Sequence, residues 1–184
     1  MSNKKEEIIT SSAKLIHSKG YENTKLSDIL KVADIGKGQF YHYFSSKRDL
    51  GLAVIDNIVN TWNQELIVGI FYSNKTASEK LNSMLEWAIN YHNNLSSYHG
   101  CPFGNLALEM SEHDEEFRLK INALFSSWLS NLEEVMSELD SEGNARLKSQ
   151  AIIAQIEGSI ILMKNFNDIT YLKDSINYIR NQYL

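Results

Sequence analysis

The sequence predicts an all-α protein: a three-helix N-terminal head carrying a helix-turn-helix over residues 1–50, and a helical body over 51–184. Three observations carry that expectation. Apolar residues recur every three or four positions along almost the whole chain. Only one proline and nine glycines interrupt 184 residues, so long stretches run without a breaker. No segment shows the period-two alternation of a strand.

The elements follow in order. Ile9, Ala13 and Ile16 repeat at helical spacing, Lys4 to Ser18 holds no breaker, and Gly20 stands where a C-terminal cap belongs. Leu26, Ile29, Leu30 and Ala33 give a second, short amphipathic helix whose start Thr24 can cap with its hydroxyl. Asp34-Ile35-Gly36 breaks the pattern with residue types that tolerate turn geometry, and Phe40 and Phe44 resume an apolar stripe on a third helix. Ser46-Lys47-Arg48-Asp49 resembles a capping box with Asp for Glu, opening a fourth helix through Leu50, Val54 and Ile58 toward Ile67. Beyond Ser73, helices are expected near 76–97, 103–111, 115–139, 144–165 and 168–183.

Composition limits the function. Cys101 is the only cysteine, which excludes an intramolecular disulfide and paired Cys/His zinc spacings. The start of the chain is polar and no apolar run approaches the roughly 20 residues of a membrane span, so the expected location is the cytoplasm, without a membrane partner. Net charge is −5, which disfavours phosphate contact as a whole. Its distribution differs: residues 1–50 hold nine Lys/Arg against six Asp/Glu, and the remainder nine against seventeen. A basic head on an acidic body suggests two different partners.

Two short helices joined by a tight turn present the second to the major groove of duplex DNA. With Phe40 turned into the core, Gly38 and His42 fall on the opposite face at 100° per residue, and Gln39 and Tyr41 on its flanks. Gln39 can pair with adenine, His42 can donate to a base edge or phosphate, and Tyr41 can donate to phosphate. Gly38 permits close approach, and Lys37 and Lys47 lie in the first turns of their helices, where a phosphate is favoured. Taken alone, this face reads equally well as a solvated polar surface.

The stretch Gly20-Tyr21-Glu22-Asn23-Thr24, then Asp28-Ile29-Leu30, Lys37-Gly38-Gln39-Phe40-Tyr41-His42-Tyr43-Phe44 and Ser46-Lys47, resembles the N-terminal signature of the TetR family of bacterial repressors, over roughly residues 8–55. The resemblance implies that Lys37, Gln39, Tyr41, His42, Tyr43 and Lys47 face DNA, with Lys25 and Ser27 at the phosphate-contacting start of helix two. Lys25 stands where the family usually has Ser or Thr, and Asp34 and Gly36 where it usually has Gly and Ser. Gly100-Cys101-Pro102-Phe103-Gly104-Asn105 and Gln155-Ile156-Glu157-Gly158 further resemble a subgroup of drug-responsive repressors of efflux genes.

That resemblance implies a ligand-binding and dimerising body. Ile152, Ile153, Ile156, Ile160, Ile161, Leu162 and Met163 are apolar around more than one face, and Leu172, Ile176, Ile179 and Tyr183 stripe the last helix. The two helices are expected to form a four-helix bundle with a second copy, with Ile152, Ile156, Ile160, Leu172, Ile176 and Ile179 at the interface; burial within one chain is the alternative. Trp62, Trp87, Tyr91, Phe103, Asn105, Met110, Trp128 and Met163 are candidate ligand contacts, with Phe117 and Phe166 adding aromatic surface. His92, His99 and His113 match no metal spacing and read as loop or surface histidines, and the acidic group Glu109, Glu112, Asp114, Glu115 and Glu116 as a solvated face. No metal, cofactor or catalytic constellation is expected. The expected function is a homodimeric repressor on pseudo-palindromic operator DNA, released by a small apolar or aromatic inducer. An enzyme and a helical interaction module without DNA affinity are the competing readings.

Overall fold

Helix α1 spans Ser2–Lys19 and ends at Gly20, whose φ of +87° is the left-handed geometry that a glycine enters without Cβ strain. This is a computed structural model. It describes residues 2–93, 98–139 and 143–184, with side chains from Lys4 onward. α2 covers Leu26–Val32, α3 Lys37–Tyr43 and α4 Lys47–Trp62, which passes into a π-helical stretch, Asn63–Phe71. α5 (Ala77–Asn93), α6 (Pro102–Met110), α7 (Glu115–Leu139), α8 (Ala145–Phe166) and α9 (Thr170–Tyr183) follow. No strand occurs among the described residues, and none of their helices is long and apolar enough to cross a membrane. The expected end of α5, residues 94–97, lies outside the described residues.

The chain forms two units by its internal contacts, residues 1–61 with 102–122, and residues 62–101 with 123–184. The first gathers α1 to α3, α4 up to Thr61, α6 and the start of α7. Its buried side chains include Ile8, Ile16, Ile29, Phe40, Phe44, Leu50, Val54, Phe103, Leu106 and Phe117. Withdrawing such apolar surface from water is the main driving force for this packing. Gly51 makes one close approach in this core: a Cβ there would lie 2.6 Å from Tyr21 Cε2 and 2.8 Å from Phe117 Cζ.

Two start signals operate differently from expectation. Thr24 does not cap α2: it is fully buried, and its Oγ1 donates to the Gly20 carbonyl at 2.6 Å, closing the turn behind α1. Lys25 is the N-cap residue, and Asp28 supplies the side-chain bond by accepting the Lys25 N–H at 3.0 Å. Ser46 does accept the Asp49 N–H at 3.1 Å, but the Asp49 carboxylate reaches one residue further back, to the Ser45 N–H at 2.8 Å.

In the second unit α8 packs along α9, and α5 packs on α9 and on the π-helical stretch. Gln155 Nε2 donates to the Ser175 carbonyl at 3.3 Å between α8 and α9, while Arg180 joins α9 to Asn82 Oδ1 at 2.9 Å and to Glu86 on α5. α8 ends at Asn167, in the left-handed region at φ +54°. Ile152, Ile153, Ile156, Ile160 and Met163 of α8 and Leu172, Ile176 and Ile179 of α9 are all buried within the single chain.

Candidate nucleic-acid interface and body site

The short helix α3 is oriented by Phe40 and Phe44. Both rings are buried and lie 5.7 Å apart between centroids. Seven residues give less than two full turns, so fixing Phe40 inward leaves Lys37, Gly38, Gln39, Tyr41 and His42 exposed, with Tyr43 half-buried. Tyr41 is 54% exposed although its ring sits edge-on to Phe40 at 5.3 Å, so the hydroxyl end projects while the ring is held. The His42 ring lies edge-on to Tyr43 at 4.8 Å. A Cβ on Gly38 would meet no atom within 4 Å, so α3 presents a shallow, open spot between longer polar side chains.

The turn before α3 is set by Asp34, at φ +50°, rather than by a glycine; Gly36 caps α3 with an ordinary φ of −80°. Lys25 and Ser27 are exposed at the start of α2. Lys19 donates to Asp28 at 2.5 Å, and this bond with the Lys25 N–H holds the Asp28 carboxyl below its usual range. Lys47, the first residue of α4, has its ammonium 4.3 Å from the Tyr21 ring centroid. The nine nominated residues thus lie in one unit, on α2, α3 and the start of α4.

The acidic group of the α6–α7 region is a solvated face only in part: Glu112, Glu115 and Glu116 are exposed, while Glu109 and Asp114 are half-buried and paired. Glu109 accepts the Tyr21 and Glu22 N–H groups at 2.7 and 3.2 Å. Arg48 makes a fork with Asp114, Nε to Oδ2 at 2.6 Å and Nη2 to Oδ1 at 3.0 Å, and also reaches Glu116 at 2.9 Å. Glu115 pairs with Arg118. Spacing could not reveal the partners of Glu109, Asp114 and Glu116, which lie 66 to 88 residues away in sequence. Lys120 likewise bonds Asp56 at 2.6 Å.

The candidate ligand residues divide between the units. Trp62, Trp87, Tyr91 and Trp128 form one aromatic cluster in the second unit, with Trp62 edge-on to Trp87 at 4.9 Å, to Tyr91 at 5.6 Å and to Trp128 at 6.1 Å. Met163 is fully buried in the same unit. Burial pushes the Tyr91 phenol up to about 12. Trp87 Nε1 donates to Glu65 Oε2 at 3.0 Å, and Trp128 Nε1 to Met84 Sδ at 3.2 Å. Phe103, Asn105 and Met110 lie instead on α6 in the first unit, as does Phe117. Phe166 is 55% exposed and stacks on Tyr171 at 4.8 Å, so it lines no interior. The two body motifs meet where the Cys101 thiol donates to Glu157, whose carboxyl burial pushes upward.

Two further expectations change. His92 is a buried residue of α5, not a loop or surface histidine, because the face it occupies also carries the buried Leu81, Met84, Leu85 and Ala88; His99 is half-buried and His113 exposed. Among the described residues no three His, Cys, Asp or Glu side chains stand close enough to hold a metal ion. The residues nominated for a dimer interface are consumed by packing within the chain. The apolar side chains that α8 and α9 leave outside are others: Leu147, Ile161 at 57% exposure, Leu162 at 45%, Phe166, Tyr171 and Tyr178.

Residues 8–54 match the family described as bacterial regulatory proteins, tetR family, and residues 77–177 match that described as transcriptional regulator LmrA/YxaF-like, C-terminal domain. An uncharacterized HTH-type transcriptional regulator in the lacX 3′ region of Lactococcus lactis subsp. lactis is 39% identical, covering 98% of this chain and 93% of its own. The HTH-type transcriptional regulator LmrA of Bacillus subtilis is 25% identical over 94% of each chain. Among solved structures, the reduced form of E. coli NemR superposes with a TM-score of 0.85 at 20% identity, covering 97% of this chain and 96% of that one. A TetR-family regulator from Agrobacterium tumefaciens gives 0.89 at 19% identity, covering 98% and 97%. At these identities the two structures speak for the fold.

Proposed function

Because this chain belongs to the TetR family of bacterial transcriptional regulators, we propose that it represses transcription as a homodimer on a pseudo-palindromic operator and is released by a small apolar or aromatic molecule. The observation that carries this reading is the α3 surface. One buried anchor, Phe40, orients five exposed residues, and their donors and acceptors suit base edges and phosphates. Gln39 and His42 read bases; Lys37, Tyr41, Tyr43 and Lys47 contact phosphates, with Lys25 and Ser27 at the edge of the site.

Dimerisation is supported by the outer face of α8. At 100° per residue, Ala151, Ala154, Gly158, Ile161 and Leu162 share one exposed strip, and Tyr171 and Tyr178 share another on α9. No charged residue interrupts the α8 strip, where small residues let two helices approach closely; on α9 the exposed Asp174 lies between the two tyrosines. A two-fold dimer would double the α3 surface and match operator symmetry, with half-sites about 34 to 36 Å apart. The cluster of Trp62, Trp87, Tyr91 and Trp128 is the proposed seat of the inducer, whose effect is bounded by its differential affinity for the two states of the dimer.

The test is mutation of the reading face. Gln39→Ala and His42→Ala should each weaken binding to the selected operator by about 1 to 3 kcal/mol, roughly 5- to 150-fold, with helicity and dimer mass unchanged. Operator affinity equal to the parent protein in both variants would refute this readout. Binding that does not strengthen as salt falls would favour an interaction module without DNA affinity.

A further inference from the structure

The turn between α1 and α2 is held from two sides. From one, a single carboxylate oxygen of Glu109 accepts both successive amides, Tyr21 N–H and Glu22 N–H. Two consecutive amides converging on one anion make a small nest, a geometry opened here by the positive φ of Gly20. The carboxylate lies directly against that glycine: a Cβ on Gly20 would be 2.5 Å from Glu109 Oε1. From the other side, Lys47 stands over the Tyr21 ring at 4.3 Å, and its Nζ donates to the Glu22 carbonyl at 3.5 Å. The Tyr21 ring is backed in turn by Phe117 at 5.1 Å.

We propose that Glu109 is a positioning residue for DNA binding: it fixes the Tyr21–Glu22 turn that holds the Lys47 ammonium ready for an operator phosphate. The inference rests on the reading of Lys47 as a phosphate contact. An ammonium has three donor directions, and the Glu22 carbonyl takes only one, by a long bond. The Tyr21 ring restrains the flexible four-carbon stem without neutralising the charge. Lys47 is therefore localised at the N-terminus of the 16-residue helix α4 while still able to bind an anion. Rigid placement before binding spares the ordering cost that a free lysine side chain meets on contact. Without Glu109, two amides lose their shared acceptor, the ring and carbonyl shift, and Lys47 loses its seat.

The experiment measures operator affinity of the full chain against salt concentration for Lys47→Ala, Glu109→Ala, the double variant and Glu109→Gln. Lys47→Ala should lower the slope of log affinity against log salt by about one unit, the signature of one lost phosphate contact. Glu109→Ala should lower it by a comparable amount, and the double variant should match Lys47→Ala alone. Glu109→Gln, which keeps an acceptor oxygen, should recover most of the slope. A Glu109→Ala effect that leaves the slope intact and adds fully to that of Lys47→Ala would make Glu109 merely structural and overturn the proposal. An unchanged slope in Lys47→Ala would instead refute the phosphate contact itself. If Glu109→Ala fails to fold, Tyr21→Leu removes the ring beneath Lys47 and must lower the slope; an unaltered slope there overturns the proposal equally.

Discussion

Asp28 illustrates how one side chain in the head serves local structure so that its neighbours stay free for a partner. Its carboxylate accepts from Lys19 Nζ and from the Lys25 N–H, tying the end of α1 to the start of α2. The Lys19 bond, more than any other influence, holds its pKa below the usual 3.8. A carboxyl depressed on folding adds stability above its unfolded pKa, and that contribution disappears as pH falls through the folded value. Asp28→Asn should therefore flatten the acid side of the stability profile below about pH 4, read as the urea midpoint at successive pH values. An unchanged acid limb would show that the tie contributes nothing. At this scale the sequence was informative wherever a single phase decides the outcome: with Phe40 inward, the exposure of Gln39 and His42 follows from 100° per residue. It misled at Thr24, because a hydroxyl near a helix start can equally cap forward or bond backward, and the backward bond to Gly20 also buries the methyl group.

Among the elements, α4 passes closely against the α1–α2 turn and α7. Gly51 lets α4 pass against Tyr21 and Phe117 with no room for a methyl group. Gly51→Ala should cost about 1 to 3 kcal/mol by overpacking, despite the better helix propensity of alanine. Thermal unfolding measures this, and a variant as stable as the parent would mean the joint can relax. Most helix starts and ends among the described residues were readable to within a residue or two because breakers are local, although the capping groups at α2 and α4 differ. Two features were not. The π-helical stretch Asn63–Phe71 buries Leu66, Ile67, Ile70 and Phe71, a spacing that an α-helix also satisfies. The bonds from Glu109 and Asp114 to the head join elements distant in sequence, so charge pattern alone made these two carboxylates look solvated.

For the whole molecule, the apolar richness of α8 correctly signals a helix with two apolar faces, yet periodicity cannot say which face meets which neighbour. Ile156 and its neighbours are buried within the chain, where α9 packs along α8, and Ile161 and Leu162 are left outside. The two faces should respond differently. Ile156→Ala should lower stability by about 2 to 5 kcal/mol with little change in the association of the folded protein, whereas Leu162→Glu should yield folded monomer by sedimentation. Dimerisation undisturbed by Leu162→Glu would move the interface elsewhere. The central claim, that a two-fold dimer reads an operator through α3, is tested most directly by selecting bound duplexes from a random DNA pool with the purified protein. The account predicts enrichment of one pseudo-palindrome with half-sites about one helical turn apart, lost when Gln39 and His42 are both replaced by alanine. Enrichment of no sequence, or of one that the double variant binds equally well, would contradict it.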